Sequence, residues 1–466
     1  MKELKPRISE QGAKPLLRKV IASAMIVTMF AAEAQAQLSP QQTPSGANKA
    51  ASADGTIPAW VPPGPQDVGW GPGKYRGDHF KNKDDKALFT ITSSNYEKYS
   101  DKLSPGQIEL FKKHKDYTMV VYPTRRSCGV QDFVAENTKK NVGFAKMDAT
   151  GYGLDEAYVP GVPFPTPKNG QEVMWNAKMR YRGIGFGGLK TNLSVSPKPG
   201  GDWIRTEADQ EYYYPWAKKG SNLFSASNQV EAYAYYLYNK PASYAGQAGI
   251  FTLRANADPE TFIYFPGQRR VRRMPAYTYD SPALGMDAQY NIDEASIWFG
   301  SIDRFDFKIV GTKEMYIQYN SFGLYNFKAN IDDIAKPNFI DPSQRRYELH
   351  RVHVLEATVR SGMRHVAPKR YVYIDEDSWS PAMKVDYDAK GNISKFSEGP
   401  IIPVYETGMC DIEAFVQYNI PEGRYLFDVT TAGTGADVQF FVEPGNNKYL
   451  KTSFYTSDNL RNISDR

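Results

Sequence analysis

The most concentrated charge in this 466-residue chain is Gln268-Arg269-Arg270-Val271-Arg272-Arg273. On a strand, Arg269, Val271 and Arg273 share one face, and Arg270 and Arg272 the other. A guanidinium grips carboxylate or phosphate with two parallel hydrogen bonds, so Arg270 and Arg272 are candidates for holding an anionic head. The alternative is structural: pairing with Asp or Glu across strands, or plain solvation. Gly183-Ile184-Gly185-Phe186-Gly187-Gly188 fits a dinucleotide pattern. That chemistry needs a helix starting in the glycines, so that its amides meet a pyrophosphate. Leu189 to Ser194, followed by Pro197 and Pro199, does not read as a helix, and a flexible loop is expected. His350 and His353 fall on an expected strand, three residues apart, and so point to opposite faces. They cannot share a metal, and with His79, His114 and His365 they are read as surface or sheet-face residues. Asp375-Glu376-Asp377 lacks the spacing of a calcium loop and reads as a solvated turn. No Ser, Cys or Lys occupies a nucleophile-elbow context. No catalytic residue, metal site or cofactor is therefore expected, and the chain is read as non-enzymatic.

The elements that position these residues are mostly strands. Gly249 to Ala255, Glu260 to Phe265, Arg304 to Gly311 and Glu314 to Tyr319 are short and rich in β-formers, as are Tyr347 to Val359, Arg370 to Asp375 and Ala382 to Tyr387. Arg424 to Thr430 and Val438 to Val442 add two more. Ser361-Gly362 and Asp388-Ala389-Lys390-Gly391-Asn392 punctuate hairpins. Connections this short favour antiparallel pairing. Helices are expected within Ser94 to Lys115, with Ser104 as N-cap and Pro105 at the first helical position, and over Val130 to Thr138. A third is expected from Asn228 to Asn239, where Val230, Ala234, Leu237 and Tyr238 share a face at 3.6 spacing.

The N-terminus has the order of a secretory signal peptide. Lys14, Arg18 and Lys19 precede an apolar run from Val20 to Ala32, and Ala34-Gln35-Ala36 offers a small-x-small cleavage site. That run is shorter than the roughly 20 residues a membrane helix needs. The expected division is a signal peptide over 1–36, a Pro/Gly-rich extended arm over 37–75, and one large domain over 76–466. Cleavage near Gln37 would remove six basic and three acidic residues and lower the formal charge from +5 to +2. A nearly neutral protein lacks the basic face of a nucleic-acid binder. No later apolar run is long enough to span a membrane. In the oxidising periplasm, Cys128 and Cys410 are expected to form one disulfide, the alternative being two buried thiols. The 32 Tyr, 24 Phe and 7 Trp suit a sheet with both faces partly used.

Several stretches resemble one bacterial family, domain of unknown function 1329. They are Ala53-Asp54-Gly55-Thr56-Ile57-Pro58-Ala59-Trp60, Glu172-Val173-Met174-Trp175-Asn176, Arg180-Tyr181-Arg182-Gly183, Tyr264-Phe265-Pro266-Gly267 continuing through Arg273, Arg346 to Val352, and Tyr373-Ile374-Asp375-Glu376-Asp377-Ser378-Trp379. The family is grouped with the periplasmic lipoprotein carrier LolA and its receptor LolB. The resemblance implies a mainly β fold with helices (α+β): a curved antiparallel sheet, or incomplete β-barrel, with helices lying in its concave side. It also implies neighbouring transporters of the resistance-nodulation-division type and outer-membrane proteins as partners.

A half-barrel of this kind offers an apolar face that can cover a lipid or another hydrophobic molecule, at roughly 25 cal/mol per Å². Trp175, Tyr181, Trp203, Tyr213, Phe262, Tyr264 and Trp298 are the expected lining or lid positions, with Arg270 and Arg272 at the rim. The expected function is a periplasmic carrier of a hydrophobic ligand. Its rivals are a non-catalytic accessory of a transporter, with a filled interior, and an enzyme assembled from distant carboxylates or His.

Overall fold

The computed structural model describes residues 37–275 and 278–464. The export segment expected over residues 1–36 lies outside them. Sixteen strands form one sheet. In chain order they are β1 (Phe89–Thr92), β2 (Thr118–Val121), β3 (Gly185–Val195), β4 (Ile204–Tyr213), β5 (Val230–Lys240), β6 (Ala248–Arg254), β7 (Glu260–Phe265) and β8 (Arg270–Arg273). The second half holds β9 (Phe305–Gln318), β10 (Tyr347–Val359), β11 (Lys369–Asp375), β12 (Pro381–Tyr387), β13 (Ile393–Glu398), β14 (Phe415–Asn419), β15 (Arg424–Thr430) and β16 (Gln439–Phe441). Neighbours run β1-β2-β10-β11-β12-β13-β14-β15-β3-β4-β5-β6-β7-β8, with β9 beside β10 and β16 beside β3. Among the described residues the pairings within this sheet are antiparallel except where β2 meets β10 at Val121 and Tyr347. The path starts at β1 and stops at β8 without closing. This is the expected mainly β fold, a large, curved, unclosed antiparallel sheet with a few helices.

Helices α1 (Pro105–Lys113), α2 (Asp132–Asn141), α3 (Gly170–Lys178) and α4 (Ser457–Ser464) accompany the sheet. α1 starts as its sequence dictates. Ser104 Oγ accepts the Gln107 amide at 3.2 Å, and Gln107 Oε1 accepts the Ser104 amide at 2.8 Å, a complete capping box. α1 packs on β13, α3 on β9, and α4 on β6, β7 and β8.

The strands expected around 249–255, 260–265, 347–359, 370–375, 382–387, 424–430 and 438–442 form within one residue of their bounds. The hairpin between β12 and β13 is built as its residues require: Asp388 Oδ1 accepts the amides of Lys390 and Asn392 at 2.8 and 2.9 Å. Three expectations are corrected. The helix expected over 228–239 is strand β5, hydrogen-bonded on both sides by β4 and β6. Its Tyr233, Tyr235, Tyr236 and Tyr238 are β-formers, and two ladders outweigh a weak 3.6-residue periodicity. The glycine stretch at 183–188 is no flexible loop but the entry to β3. A Cβ at Gly185 would stand 2.2 Å from the Tyr212 carbonyl oxygen, so the glycine lets two strands approach. The segments 304–311 and 314–319 are one strand, β9. Its register shifts at Gly311, whose φ of +147° makes the β-bulge.

Cys128 and Cys410 are joined in a disulfide, their Cα atoms 5.1 Å apart across 282 residues of chain. Residues 37–75 are mostly irregular, tied by isolated bridges from Gln42 to Asn48 and from Asp67 to Phe80.

Candidate ligand-binding cavity

Buried chemistry gathers in two regions. The first is the turn after β11. It was expected to be solvated, yet Asp375, Glu376 and Asp377 are all buried. The reason is the N-terminal arm, which lies over them. Arg126 grips Asp377 with two hydrogen bonds, 2.6 and 2.9 Å, and donates to the Asn48 carbonyl at 2.8 Å. Glu376 accepts the Asn48 amide at 3.1 Å, and the Trp379 indole donates to the Ser45 carbonyl at 2.9 Å. Asp375 accepts the amide and hydroxyl of Ser378 at 2.9 and 2.6 Å. Burial raises the Asp375 carboxyl, with Asp377 adding to it, and pushes Glu376 up to about 7. His350 and His353 do lie on opposite faces of β10. His350 stacks on Tyr319 and bonds Glu348 at 3.1 Å; His353 stacks on Trp379, and burial lowers it to about 4. His365 departs from the surface reading: it is buried against Asp293 at 3.0 Å.

The second region is a cavity of about 110 Å³ over β3, β4, β5 and β6. That is far more than the roughly 10–15 Å³ one water needs. Its floor follows strand alternation. Ala234, Tyr236 and Tyr238 of β5 lie two apart on one face, and Ala208, Gln210 and Tyr212 of β4 do the same. The small Ala208 and Ala234 leave the space, and Phe251 of β6 walls it. Thr191 and Thr206 turn their hydroxyls onto the carbonyls of Ala208 and Leu193, at 3.2 and 3.3 Å.

The roof is a strap over residues 278–303, between β8 and β9. Leu284, Tyr290, Ile292 and Phe299 of the strap face the cavity. Polar anchors hold it down. Asp293 meets Arg370 at 2.8 Å, Glu294 meets Lys395 at 2.8 Å, and Asp287 meets Arg424 at 2.7 Å. Burial would raise Asp293, but Arg370 and His365 beside it hold its carboxyl well below the usual range. The strap backbone is strained: Tyr279, Asp287, Ala288, Ser296 and Ile297 all carry positive φ.

One acid lines the cavity. Asp428, on β15, accepts the Tyr290 hydroxyl at 2.7 Å and the Val429 amide at 2.6 Å. Burial pushes its carboxyl up to about 6. Val429 has φ +52°, and the pairing of β15 with β3 shifts register between Phe427 and Thr430. A bulge thus places Asp428 at the cavity wall.

A smaller inner cavity of about 40 Å³ shares Tyr212 and Phe299 with the first. It holds three ion pairs: Lys178 with Glu231 at 2.8 Å, Arg180 with Asp411 at 2.7 Å, and Arg182 with Glu413 at 3.2 Å. Burial, with Asp411 alongside, raises Glu413 far above the usual carboxylate range. Trp298 lines this inner cavity, and its indole Nε1 has no hydrogen-bond partner among the described residues.

Of the expected lining and rim residues, Trp298 alone lines either of these two cavities. Trp175 is core on α3, its indole donating to the Tyr152 carbonyl at 2.9 Å. Tyr181 packs edge-on against Phe133, and Trp203 against Tyr425. Tyr213 stacks with Tyr233 and Tyr455 on the other face of β4 from Tyr212. Tyr264 is buried and Phe262 half-buried on β7. Arg270 and Arg272 are exposed on β8, where the sheet ends; Arg272 donates to Gln268 at 2.6 Å. Arg273 meets Glu260 at 3.4 Å, the cross-strand pairing weighed as the alternative. The residues sequence reasoning passed over are Tyr212, Tyr236, Tyr290, Phe299 and Asp428, while Tyr238 was read only as part of a helix face. A lone acid inside the apolar strand Tyr425-Leu426-Phe427-Asp428-Val429 was the available signal.

The profile of the family described as "Protein of unknown function (DUF1329)" matches residues 90–461. The chain belongs to that family. The "Uncharacterized protein PA3922" of Pseudomonas aeruginosa is 35% identical over 412 residues, 87% of this chain and 89% of the relative. Among solved structures, a DUF1329 family protein from Desulfovibrio piger aligns with TM-score 0.39 at 13% identity, over 58% of this chain and 91% of that one. A LolA superfamily protein from Nitrosomonas europaea aligns with TM-score 0.35 at 12% identity, over 63% of this chain and 99% of that one. No helix among the described residues is long and apolar enough to cross a membrane, and no three or more His, Cys, Asp or Glu among them are grouped so as to hold a metal ion.

Proposed function

We propose that this DUF1329 protein is a non-catalytic periplasmic carrier that shelters a hydrophobic ligand between its sheet and the strap over 278–303. The ligand is a lipid, a lipoprotein acyl chain or another apolar molecule, moved between the two membranes. One observation carries the reading: the cavity is walled by Tyr, Phe, Ala and Leu, and its roof is held by polar anchors at its margins. An apolar molecule gains from such walls at roughly 25 cal/mol per Å² of covered surface. Rigid aromatic rings line a pocket at small entropic cost. A strap held by ion pairs can release as a unit, admitting a ligand larger than the closed cavity. Export by the segment 1–36, ahead of the arm over 37–75 and the body over 76–466, and an oxidised Cys128–Cys410 pair both fit a periplasmic location.

The deciding experiment is native mass spectrometry of protein purified from periplasm without detergent, with solvent extraction of what it holds. A stoichiometric apolar adduct is expected. A bare mass, with no uptake of fatty acids, phospholipids or alkanols offered afterwards, would overturn the carrier reading. The second reading, a non-catalytic accessory of a resistance-nodulation-division transporter or outer-membrane protein, draws on β8. This end strand, paired among the described residues with β7, exposes Arg270, Arg272 and Arg273, the kind of edge that can accept another protein's strand.

A further inference from the structure

Several buried carboxylates elsewhere in the molecule have cations beside them, though Asp375, held by Ser378 and the Tyr319 hydroxyl, does not. Asp293, Glu294, Asp377 and Asp411 each lie within 3 Å of an Arg or Lys nitrogen, at 2.8, 2.8, 2.6 and 2.7 Å. Asp428 has none. Its two hydrogen-bond donors, the Tyr290 hydroxyl and the Val429 amide, are neutral. Burying a carboxylate without a counter-charge is costly, and the ordinary remedy is a partner. A strained Val429 and a bulge in β15 hold the acid at the cavity wall.

The surroundings supply the other half of a cation site. Tyr212, Tyr236, Tyr238, Phe251 and Phe299 wall the same cavity, and Tyr290 completes the roof. Ring faces attract a cation, most strongly where water is excluded. One desolvated acid within an aromatic enclosure is complementary to an alkylammonium or quaternary ammonium group, whose own surface is largely hydrocarbon. The positive side chains of the inner cavity do not compete for the acid: Lys178, Arg180 and Arg182 are each matched there by an acid.

We propose that the cavity takes the cationic end of its ligand, an organic ammonium group paired with Asp428 and lying against the tyrosine walls. This rests on the carrier reading and narrows it from apolar molecules in general to cationic amphiphiles. Such a group belongs equally to the headgroup of a choline or ethanolamine lipid and to a free long-chain amine.

The test uses the full-length protein as purified from periplasm, stripped of bound lipid, and three probes with one tail: dodecyltrimethylammonium, dodecanol and dodecanoate. Affinities are measured at pH 8, below micelle-forming concentrations. The ammonium is expected to bind about tenfold more tightly than the alcohol. In Asp428→Asn that preference disappears while dodecanol affinity is kept. Equal binding of ammonium and alcohol by the native protein would sink this inference and leave the carrier reading standing. Preference for dodecanoate would also sink it, and would move the head to Arg182 and Trp298. Failure of all three probes to bind would overturn the carrier reading itself. The comparison within the native protein does not depend on how the variant folds. Vesicles then separate the sources. Withdrawal of phosphatidylcholine in preference to phosphatidylglycerol assigns the cation to a lipid headgroup. Uptake of the free ammonium with no lipid withdrawn assigns it to a free amine.

Discussion

At the turn after β11, Asp377 is matched by a cation and covered by the arm; at the cavity over β3 to β6, Asp428 has neutral donors and is roofed by a strap. Asp377 has Arg126 on it, the arm over it, and the Cys128–Cys410 disulfide nearby, with Cys128 Sγ 2.7 Å from the Tyr319 hydroxyl. Asp428, equally buried, has two neutral donors, a strained neighbour and open space. The same residue type thus serves two ends. An acid whose hydrogen bonds and counter-charge are complete fixes the fold. An acid left short of a counter-charge at a cavity wall is held at the fold's expense, as functional groups often are.

The comparison is broken most severely at Arg126. Arg126→Ala leaves Asp377 buried without its cation and should cost about 3–5 kcal/mol in denaturant unfolding. It should also free the arm, read as rapid proteolysis ahead of residue 60. A loss below about 1 kcal/mol would mean that the arm covers the turn without depending on the pair. Next comes the disulfide. The Cys128→Ala, Cys410→Ala double variant opens a loop of 282 residues and should lose about 2–5 kcal/mol, measured by the same unfolding curves.

Asp428→Asn should act in the opposite direction. The folded carboxyl is raised from 3.8 to about 6, so the native state binds the proton more tightly than the unfolded chain. Its stabilising contribution is therefore complete below about pH 4 and is lost as pH rises through about 6. At pH 8 the ionised acid is a burden, and the amide variant, free of it, should be about 1–3 kcal/mol more stable than the native protein. That difference should shrink as pH falls through 6. A destabilised variant at pH 8 would place Asp428 among the structural acids.

Glu376 offers a finer version in the matched region. Burial raises it from 4.5 to about 7, with Arg351 3.9 Å away as partial relief. By the same sign, its contribution is present at low pH and fades as pH rises through 7. The arm should be cut about fivefold faster at pH 8 than at pH 6, an effect near 1 kcal/mol. In Glu376→Gln, which can still accept the Asn48 amide, the rate should be flat across that range.

Much of the sheet was legible because its strands alternate and its turns carry Asp, Gly and Asn where the backbone requires them. The capping box at Ser104 and Gln107 and the Asp388–Asn392 hairpin are local, so the residues that decide them are adjacent in sequence. What was not legible depends on distant partners. The turn at Asp375–Asp377 reads as solvated until the arm, more than 300 residues earlier, is laid upon it. β5 reads as a helix until β4 and β6 flank it. The cavity was missed by a single residue on β4, where Tyr212-Tyr213-Tyr214 has no alternation to tell one face from the other.

The arginines of β8 are the smallest test and the one closest to the sequence reading. Arg270 and Arg272 are exposed, and Arg272 donates to the exposed Gln268, so the double variant Arg270→Ala, Arg272→Ala should change stability by less than about 0.5 kcal/mol. Neither residue lines the cavity, and the dodecyl probes should bind this variant with native affinity. If dodecanoate binding instead falls with these arginines, an anionic head sits at the sheet's edge. The unmatched acid at Asp428 would then lie at the far end of the ligand's tail, and the contrast between the two regions would concern stability alone. If binding holds, the edge arginines are left to solubility or to a protein partner, and the cavity's one acid remains the group that selects what is carried.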